Sequence, residues 1–97
     1  MHVISHKRIK EFIKDHPDSA VKLGRWYKWM KKGKFNNLNE IKRKFSGVNY
    51  IGNDRYVFNI SGNKYRLVAV VILSTQIVLI RFIGTHAEYD KINASKI

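Results

Sequence analysis

The spacing of apolar residues divides the chain into a helical first part and a strand-rich second part. Up to about residue 45, apolar residues recur three and four positions apart, as they do on one face of an amphipathic helix. From about Gly47 onwards they alternate with polar residues or form short continuous runs, which is typical of strands. We therefore predict helices followed by a sheet, within a single domain that spans residues 1–97.

Three helices are predicted in the first part. Ser5, Asp18 and Asn37 are residue types that cap helices, and Pro17 and Gly33 are suited to end the first two helices. Asn37 also has the capping-box spacing, with an acid three residues later. The predicted apolar stripes are Ile9, Phe12 and Ile13 on the first helix, Leu23, Trp26, Tyr27 and Met30 on the second, and Leu38, Ile41 and Phe45 on the third.

Strands and one short helix are predicted in the second part. Thr85 and Glu88 have capping-box spacing and predict a terminal helix, after a strand that Gly84 breaks. The fold class is therefore α+β, with two or three N-terminal helices packed on an antiparallel sheet of about four strands and a short C-terminal helix. His2–Ile4 is a candidate edge strand. The predicted strands are Val48–Ile51, Arg55–Ile60, Lys64–Leu73 and Ile77–Ile83.

Net charge points to a polyanionic partner. The chain has 19 Lys and Arg against 7 Asp and Glu, a formal charge of +12 at neutral pH. Residues 1–45 carry 13 of these bases and 4 of the acids, so the helical part is the attracting surface. Such a surface suits nucleic acid, an acidic protein or an anionic membrane.

Composition excludes several other classes of site. With no cysteine, the chain has no disulfide, thiol nucleophile or cysteine-ligated metal. The longest apolar run, Leu67–Leu73, is far shorter than a membrane-spanning helix. The first residues contain no apolar stretch of signal-peptide length, so a cytoplasmic protein is expected. His2 and His6 are spaced i, i+4 but lack an apparent third ligand, and no metal or cofactor is expected.

Strand pairing predicts a cluster of polar side chains at one end of the sheet. A turn centred near Thr75 pairs Arg66 with a residue close to Gly84. The predicted cluster contains Asn63, Lys64, Arg66, His86 and Tyr89. Such a set fits metal-free RNA cleavage, in which a ribose 2′-hydroxyl attacks the adjacent phosphate. That reaction needs a proton acceptor, a proton donor and cations around phosphorus.

The same residues also have structural interpretations. His86 is equally consistent with an ordinary residue at a helix start, and Tyr89 with core packing. Arg66 and Arg81 are also typical of edge-strand charges that oppose aggregation. The face on which Arg81 lies depends on whether the turn has two or three residues.

The basic and aromatic residues of the helices are ambiguous as well. Trp26, Tyr27, Trp29 and Met30 fit a core better than a base-stacking platform, and Trp29 is the best candidate for exposure. The lysines either bind phosphate or form a solvated face. The predicted RNA-binding set is Asn63, Lys28, Lys31, Lys32, Lys34, Lys42, Arg43 and Lys44.

Two motifs resemble a known family. These are Gly-Asn-x-x-Arg at residues 62–66 and Gly-Thr-His-x-x-Tyr-Asp at residues 84–90. With the basic helical first part, they make the chain similar, over nearly its whole length, to HigB-type toxins. These are proteins of bacterial type II toxin–antitoxin systems in the RelE-like superfamily. Ser61 departs from the pattern, since a second glycine is common there.

The resemblance implies an mRNA interferase that needs no metal. Such toxins typically cleave mRNA in the decoding site (A site) of the 70S ribosome, and a helix-turn-helix antitoxin, HigA, holds them inactive. Arg66 and His86 are the strongest candidates for the site, followed by Lys64, Asn63, Arg81 and Tyr89. We expect His86 or Lys64 to transfer protons, Arg66 and Arg81 to stabilise phosphate charge, and Tyr89 to orient the substrate.

The resemblance also gives the basic surface a partner. Ribosomal RNA would present phosphates to Lys22 and Arg25 as well as to the lysines of the RNA-binding set. Two alternatives remain: an RNA- or ribosome-binding protein that blocks translation without cutting, and a degenerate toxin kept only for antitoxin pairing.

Overall fold

The computed structural model describes residues 1–97, which form four α-helices and five β-strands in the predicted order of classes. A single 3-10 turn, Pro17–Ser19, precedes the second helix. The elements are β1 (His2–Ile4), α1 (His6–Asp15), α2 (Ala20–Lys32), α3 (Leu38–Lys44), β2 (Asn49–Tyr50), β3 (Arg55–Ile60), β4 (Tyr65–Ile72), β5 (Ile77–Thr85) and α4 (His86–Tyr89).

The strands form one mixed sheet in the order β1-β5-β4-β3-β2. The pairs β2–β3, β3–β4 and β4–β5 are antiparallel, but β1 pairs with β5 in parallel. The α+β class is confirmed, while the wholly antiparallel sheet of about four strands is corrected to five strands with one parallel pair. A parallel pair needs a long connection, and most of the chain lies between β1 and β5.

The pairing of β4 with β5 matches the prediction at its outer end. Arg66 lies opposite Gly84. The register shifts by one residue between Val68 and Ala69, so that Arg81 on β5 has no partner and forms a β-bulge. Gly84 does not break β5, which continues to Thr85; the predicted break was wrong because Gly84 keeps its place in the ladder.

Two of the predicted helix caps form and two do not. The Asn37 side chain accepts a hydrogen bond from the Glu40 amide, and Thr85 forms a complete capping box with Glu88. Ser5 makes no cap hydrogen bond and has a φ of 75°. The 3-10 turn occupies the start predicted for α2, so Asp18 is not its cap.

The predicted apolar stripes pack on one face of the sheet. Trp26 and Phe58 meet edge to face, with ring centroids 5.4 Å apart, within a cluster of 17 buried residues. On the other face, Val57, Val68 and Ala94 form a smaller cluster with the segment that follows α4. The longest helix, α2, has 13 residues, and no helix is long and apolar enough to cross a bilayer.

Leu67 tests the importance of the main cluster, because its side chain is fully buried in the middle strand. Leu67→Ala is expected to lower the free energy of unfolding by about 2–5 kcal/mol, through lost burial and the cavity it leaves. Urea unfolding measures the change. The exposed Val21, changed to alanine, is the control and should alter stability by less than about 0.5 kcal/mol. Equal effects of the two changes would contradict this core.

Candidate functional site

The two sequence motifs meet at one end of the sheet. Tyr65 pairs with Thr85, and the His86 amide donates a hydrogen bond to the Lys64 carbonyl at 3.3 Å. The β3–β4 turn therefore lies directly against the start of α4. We call this end of the sheet the rim and define it by Asn63, Lys64, Arg66, His86 and Tyr89.

Arg66 lies in a row of residues that crosses three strands. It pairs with Asn59 on β3 and with Gly84 on β5, so the three residues share the face opposite α1 and α2. The guanidinium carbon lies 5.9 Å from the centroid of the Tyr89 ring, a cation–π distance. A Cβ added at Gly84 would come within 2.4 Å of the Phe82 ring, so glycine leaves this part of the row without a side chain.

The Arg66 guanidinium is incompletely hydrogen-bonded. Its Nη1 atom is buried and has no acceptor in the protein. A buried donor without a partner is destabilising, and such a donor in a native structure is often a functional group. Phosphate and carboxylate oxygens are the acceptors that a guanidinium binds most strongly, because their geometry matches its donors.

His86 is held by a carboxylate on its own helix. Its Nδ1 lies 3.1 Å from Asp90 Oδ2, one helical turn further on, and half of its side chain is exposed. When the imidazole is neutral, a carboxylate on Nδ1 places the proton there and leaves the Nε2 lone pair free. The capping box fixes the helix start, and the Thr85 amide and hydroxyl lower the pKa of Glu88 by hydrogen bonding to it.

Lys64 is paired with an acid from the 3-10 turn. Asp18 accepts from the Lys64 ammonium and, at 2.7 Å, from the Tyr65 hydroxyl. The hydrogen bond to Asp18 raises the pKa of Lys64, whereas the hydrogen bonds from Lys64 and then Tyr65 lower the pKa of Asp18. Lys64 is therefore protonated at neutral pH, which suits it to donate a proton or stabilise negative charge.

Asn63 and Arg81 occupy different places. Asn63 is exposed in the β3–β4 turn, beside Lys64. Arg81 is exposed at the bulge, three residues along β5 from Gly84, and so about 10 Å away by strand geometry. Its carbonyl accepts a hydrogen bond from Arg8 at 3.3 Å. The structure thus places the rim residues at one end of the sheet but leaves Arg81 outside the rim.

The basic residues of α2 and α3 form an exposed surface. Lys44 lies 4.5 Å and Arg25 5.9 Å from the centroid of the Trp29 ring. Trp26 and Met30 are buried core residues, as predicted, while Tyr27 and Trp29 are half-buried. The exposed bases of the predicted RNA-binding set are Lys28, Lys31, Lys32, Lys34, Lys42, Arg43 and Lys44.

Comparison with known proteins decides the family. Residues 19–92 match the HigB toxin model, described as the RelE-like toxic component of a toxin–antitoxin system. The chain belongs to the HigB toxin family. The mRNA interferase toxin HigB of Escherichia coli K12 is 35% identical over 93% of this chain and 88% of its own length. The mRNA interferase HigB of Escherichia coli O6:H1 is 29% identical over 95% and 91%.

Membership of the HigB family confirms the resemblance seen in the two motifs. The chain is a toxin of a toxin–antitoxin system, which implies an antitoxin partner. No group of three or more His, Asp or Glu side chains lies close enough to hold a metal ion.

Three residues next to the rim were not predicted from the amino-acid sequence. Asp90 had a local signal, because it lies four residues after His86 on one helix face. Asn59 follows from the β3–β4 register once that hairpin is drawn. Asp18 had no local signal, since it lies 46 residues from Lys64 in sequence.

Asp18→Asn tests the ion pair at the rim of this toxin. Because the folded-state pKa of Asp18 is lowered, its stabilisation is present above the ordinary value of 3.8 and is lost as pH falls through the folded value. The raised pKa of Lys64 gives stabilisation present below 10.5 and lost as pH rises through the folded value. We expect the free energy of unfolding of Asp18→Asn to fall less than that of the wild type at both acidic and alkaline pH.

Urea unfolding at pH values from about 2 to 11 measures these losses. Asp15→Asn, which removes an exposed acid of the same part of the chain, is the control and should keep the wild-type pH dependence. Identical pH profiles for wild type and Asp18→Asn would contradict a stabilising pair.

Proposed function

We propose that this toxin is an endoribonuclease that cleaves mRNA in the decoding site of translating ribosomes, and that the rim supplies the reacting groups without a metal ion. The relatives named mRNA interferase support the cleavage of mRNA. The observation that carries the assignment to the rim is Arg66, whose buried Nη1 lacks an acceptor at the end of the sheet where His86 and Lys64 meet.

The rim residues fit the proton transfers of RNA cleavage. His86 Nε2 accepts the proton of the attacking 2′-hydroxyl, while Asp90 holds the other ring nitrogen. The new bond from the 2′-oxygen to phosphorus yields a cyclic phosphate as the bond from phosphorus to the 5′-oxygen breaks. The leaving 5′-oxygen takes a proton from the Lys64 ammonium, which Asp18 keeps protonated at neutral pH.

The charge that develops on the phosphate is stabilised by Arg66. Its guanidinium offers donors in a plane that matches phosphate oxygens, and it acts on the negative charge that grows in the transition state. Tyr89, beneath the guanidinium, orients it and the substrate. Asn63 binds the RNA beside Lys64. Arg81, outside the rim, is proposed to hold a phosphate further along the strand.

The exposed bases of α2 and α3 fit ribosomal RNA. They account for much of the +9 excess of residues 1–45, and the resulting field speeds and strengthens association with a polyanion. This activity belongs in the cytoplasm, where translating ribosomes are. An acidic HigA-type helix-turn-helix antitoxin would compete electrostatically for the same surface.

Arg66→Ala and His86→Ala are expected to reduce the rate of mRNA cleavage by at least about 100-fold each, because charge stabilisation and proton transfer contribute about that much. Cleavage is measured on labelled mRNA in translating ribosomes. Both variants should fold and bind ribosomes like the wild type, and Lys96→Ala, an exposed charge control, should cut normally.

Three outcomes of this assay would contradict parts of the proposal. Wild-type binding without cleavage would favour a non-cleaving translation blocker. Wild-type rates in both variants would move the chemistry away from the rim. Loss of cleavage on adding EDTA to preformed complexes, restored by one specific metal, would contradict a metal-free reaction.

Lys31 and Lys32 test the proposed ribosome surface. Replacing both by glutamine should reduce the slope of log affinity for ribosomes against log salt by about 1.5, since each phosphate contact contributes about 0.7–0.9. Filter binding over a range of salt concentrations measures the slope. The matched control replaces Lys7 and Lys14, two exposed lysines of α1. A slope equal to that of the control would remove Lys31 and Lys32 from the interface.

A further inference from the structure

A cleft of about 460 Å³ lies between α2, the segment that precedes β2, and the β3–β4 turn. Its volume is in the range of sites for a single small molecule or one nucleotide. Its lining contains two bases and no acidic side chain. The lining residues used below are Lys22, Arg25, Trp26, Trp29, Asn59 and Asn63.

One wall of the cleft is formed by Trp26, which has an unused hydrogen-bond donor. Trp26 is 3% exposed, and its Nε1 has no acceptor in the protein. Indole Nε1 can only donate, so a ligand with an acceptor atom could satisfy it. Trp26 Nε1 and Arg66 Nη1 are the two buried side-chain polar atoms without a partner.

Trp29 gives the cleft an aromatic wall with cations around it. Its ring is half-buried, and Arg25 and Lys44 both lie within 6 Å of its centroid. An aromatic face next to cations favours a ligand with a flat ring and a negative charge. A nucleotide has both, and unpaired bases of RNA commonly stack on aromatic side chains and arginine.

The cleft is continuous with the rim. Asn59, which lines the cleft, is the cross-strand neighbour of Arg66. Asn63, also in the lining, directly precedes Lys64. Asn59 and Asn63 thus line the cleft and are also direct neighbours of Arg66 and Lys64 of the rim.

We propose that this cleft binds one unstacked nucleotide of the RNA strand, next to the nucleotides at the scissile bond. The base stacks on Trp29, Lys22 and Arg25 hold a phosphate, and an acceptor atom of the nucleotide accepts a hydrogen bond from Trp26 Nε1. The proposal rests on the proposed function, because it takes the substrate to be RNA. It makes the cleft a determinant of which sequences are cut.

The isolated wild-type toxin and a single-stranded oligoribonucleotide with 2′-O-methyl groups, which the proposed reaction cannot cleave, provide a direct test. Nuclear magnetic resonance resolves the two indole N–H signals of this protein, from Trp26 and Trp29. On binding, the Trp26 signal should move downfield as its proton acquires an acceptor, and tryptophan fluorescence should be quenched. An unchanged Trp26 signal at saturation would overturn the hydrogen bond.

Variants separate the stacking from the charge contribution. Trp29→Ala should weaken oligoribonucleotide binding about tenfold, whereas Trp29→Phe, which keeps an aromatic face and the packing against Phe45, should stay within about threefold. Replacing Lys22 and Arg25 by glutamine should lower the salt slope by about 1.4, at about 0.7 for each single-strand phosphate contact. The matched control again replaces Lys7 and Lys14 and should change neither quantity.

The outcomes distinguish this subsite from the proposed function. If the wild type cleaves mRNA while all cleft variants keep wild-type affinity and cutting pattern, the subsite is wrong and the function stands. If cleft variants weaken oligoribonucleotide binding although the wild type does not cleave, the subsite is supported and the function fails. If they weaken binding of an acidic antitoxin but not of RNA, the cleft is a protein-docking site and the proposal is overturned.

Discussion

The register between β4 and β5 is the constraint on which the rim depends. Side chains alternate between the faces of a strand, so a slip of one residue would place Ile83 opposite Arg66 and carry Phe82 to the helix-covered face. The bulge at Arg81 prevents this, because it supplies the extra residue that restores Gly84 to its place opposite Arg66. The chemistry proposed for the rim therefore rests on an irregularity four pairs away from the β4–β5 turn.

The polar groups of the rim are hydrogen-bonded within the protein on one face of the sheet but not completely on the other. On the helix-covered face, Asp18 binds Lys64 and the Tyr65 hydroxyl, so those groups are satisfied within the protein. On the other face, Arg66 keeps an unpartnered donor. A native structure that leaves a buried donor unpaired gives up stability there, and such exceptions concentrate where a ligand binds. Of these two exceptions, Arg66 belongs to the β3–β4 hairpin, and Trp26 contacts its residue Phe58.

Most local signals were predictable from the sequence, apart from the caps at Ser5 and Asp18 and the end of β5, whereas most contacts between distant segments were not. The helix stripes, the caps at Asn37 and Thr85, and strand Arg55–Ile60 depend on residues a few positions apart, and all were correct. The parallel pairing of β1 and the contact of Asp18 with Lys64 join distant segments, which no local pattern records. The pairing of Arg66 with Gly84 was predicted from a turn centred near Thr75 without a bulge. The observed turn pairs the strands one residue out of the predicted register, and the bulge at Arg81 restores that register, so the predicted pair is correct.

The placement of the acids fits the proposal that a protein of charge +12 binds RNA at one surface and cleaves it at another. Only 7 acids are present, yet Asp18 and Asp90 are next to Lys64 and His86, while the lysines of α2 carry no acidic partner. An ion pair at the rim weakens the attraction of the rim for a ground-state phosphate. It also fixes the geometry of the groups proposed to act in the transition state, where negative charge develops. Interactions that strengthen only in the transition state raise the rate, whereas uniform binding does not. In the proposed mechanism the helices thus provide binding, and the rim, held by its two carboxylates, stabilises the transition state.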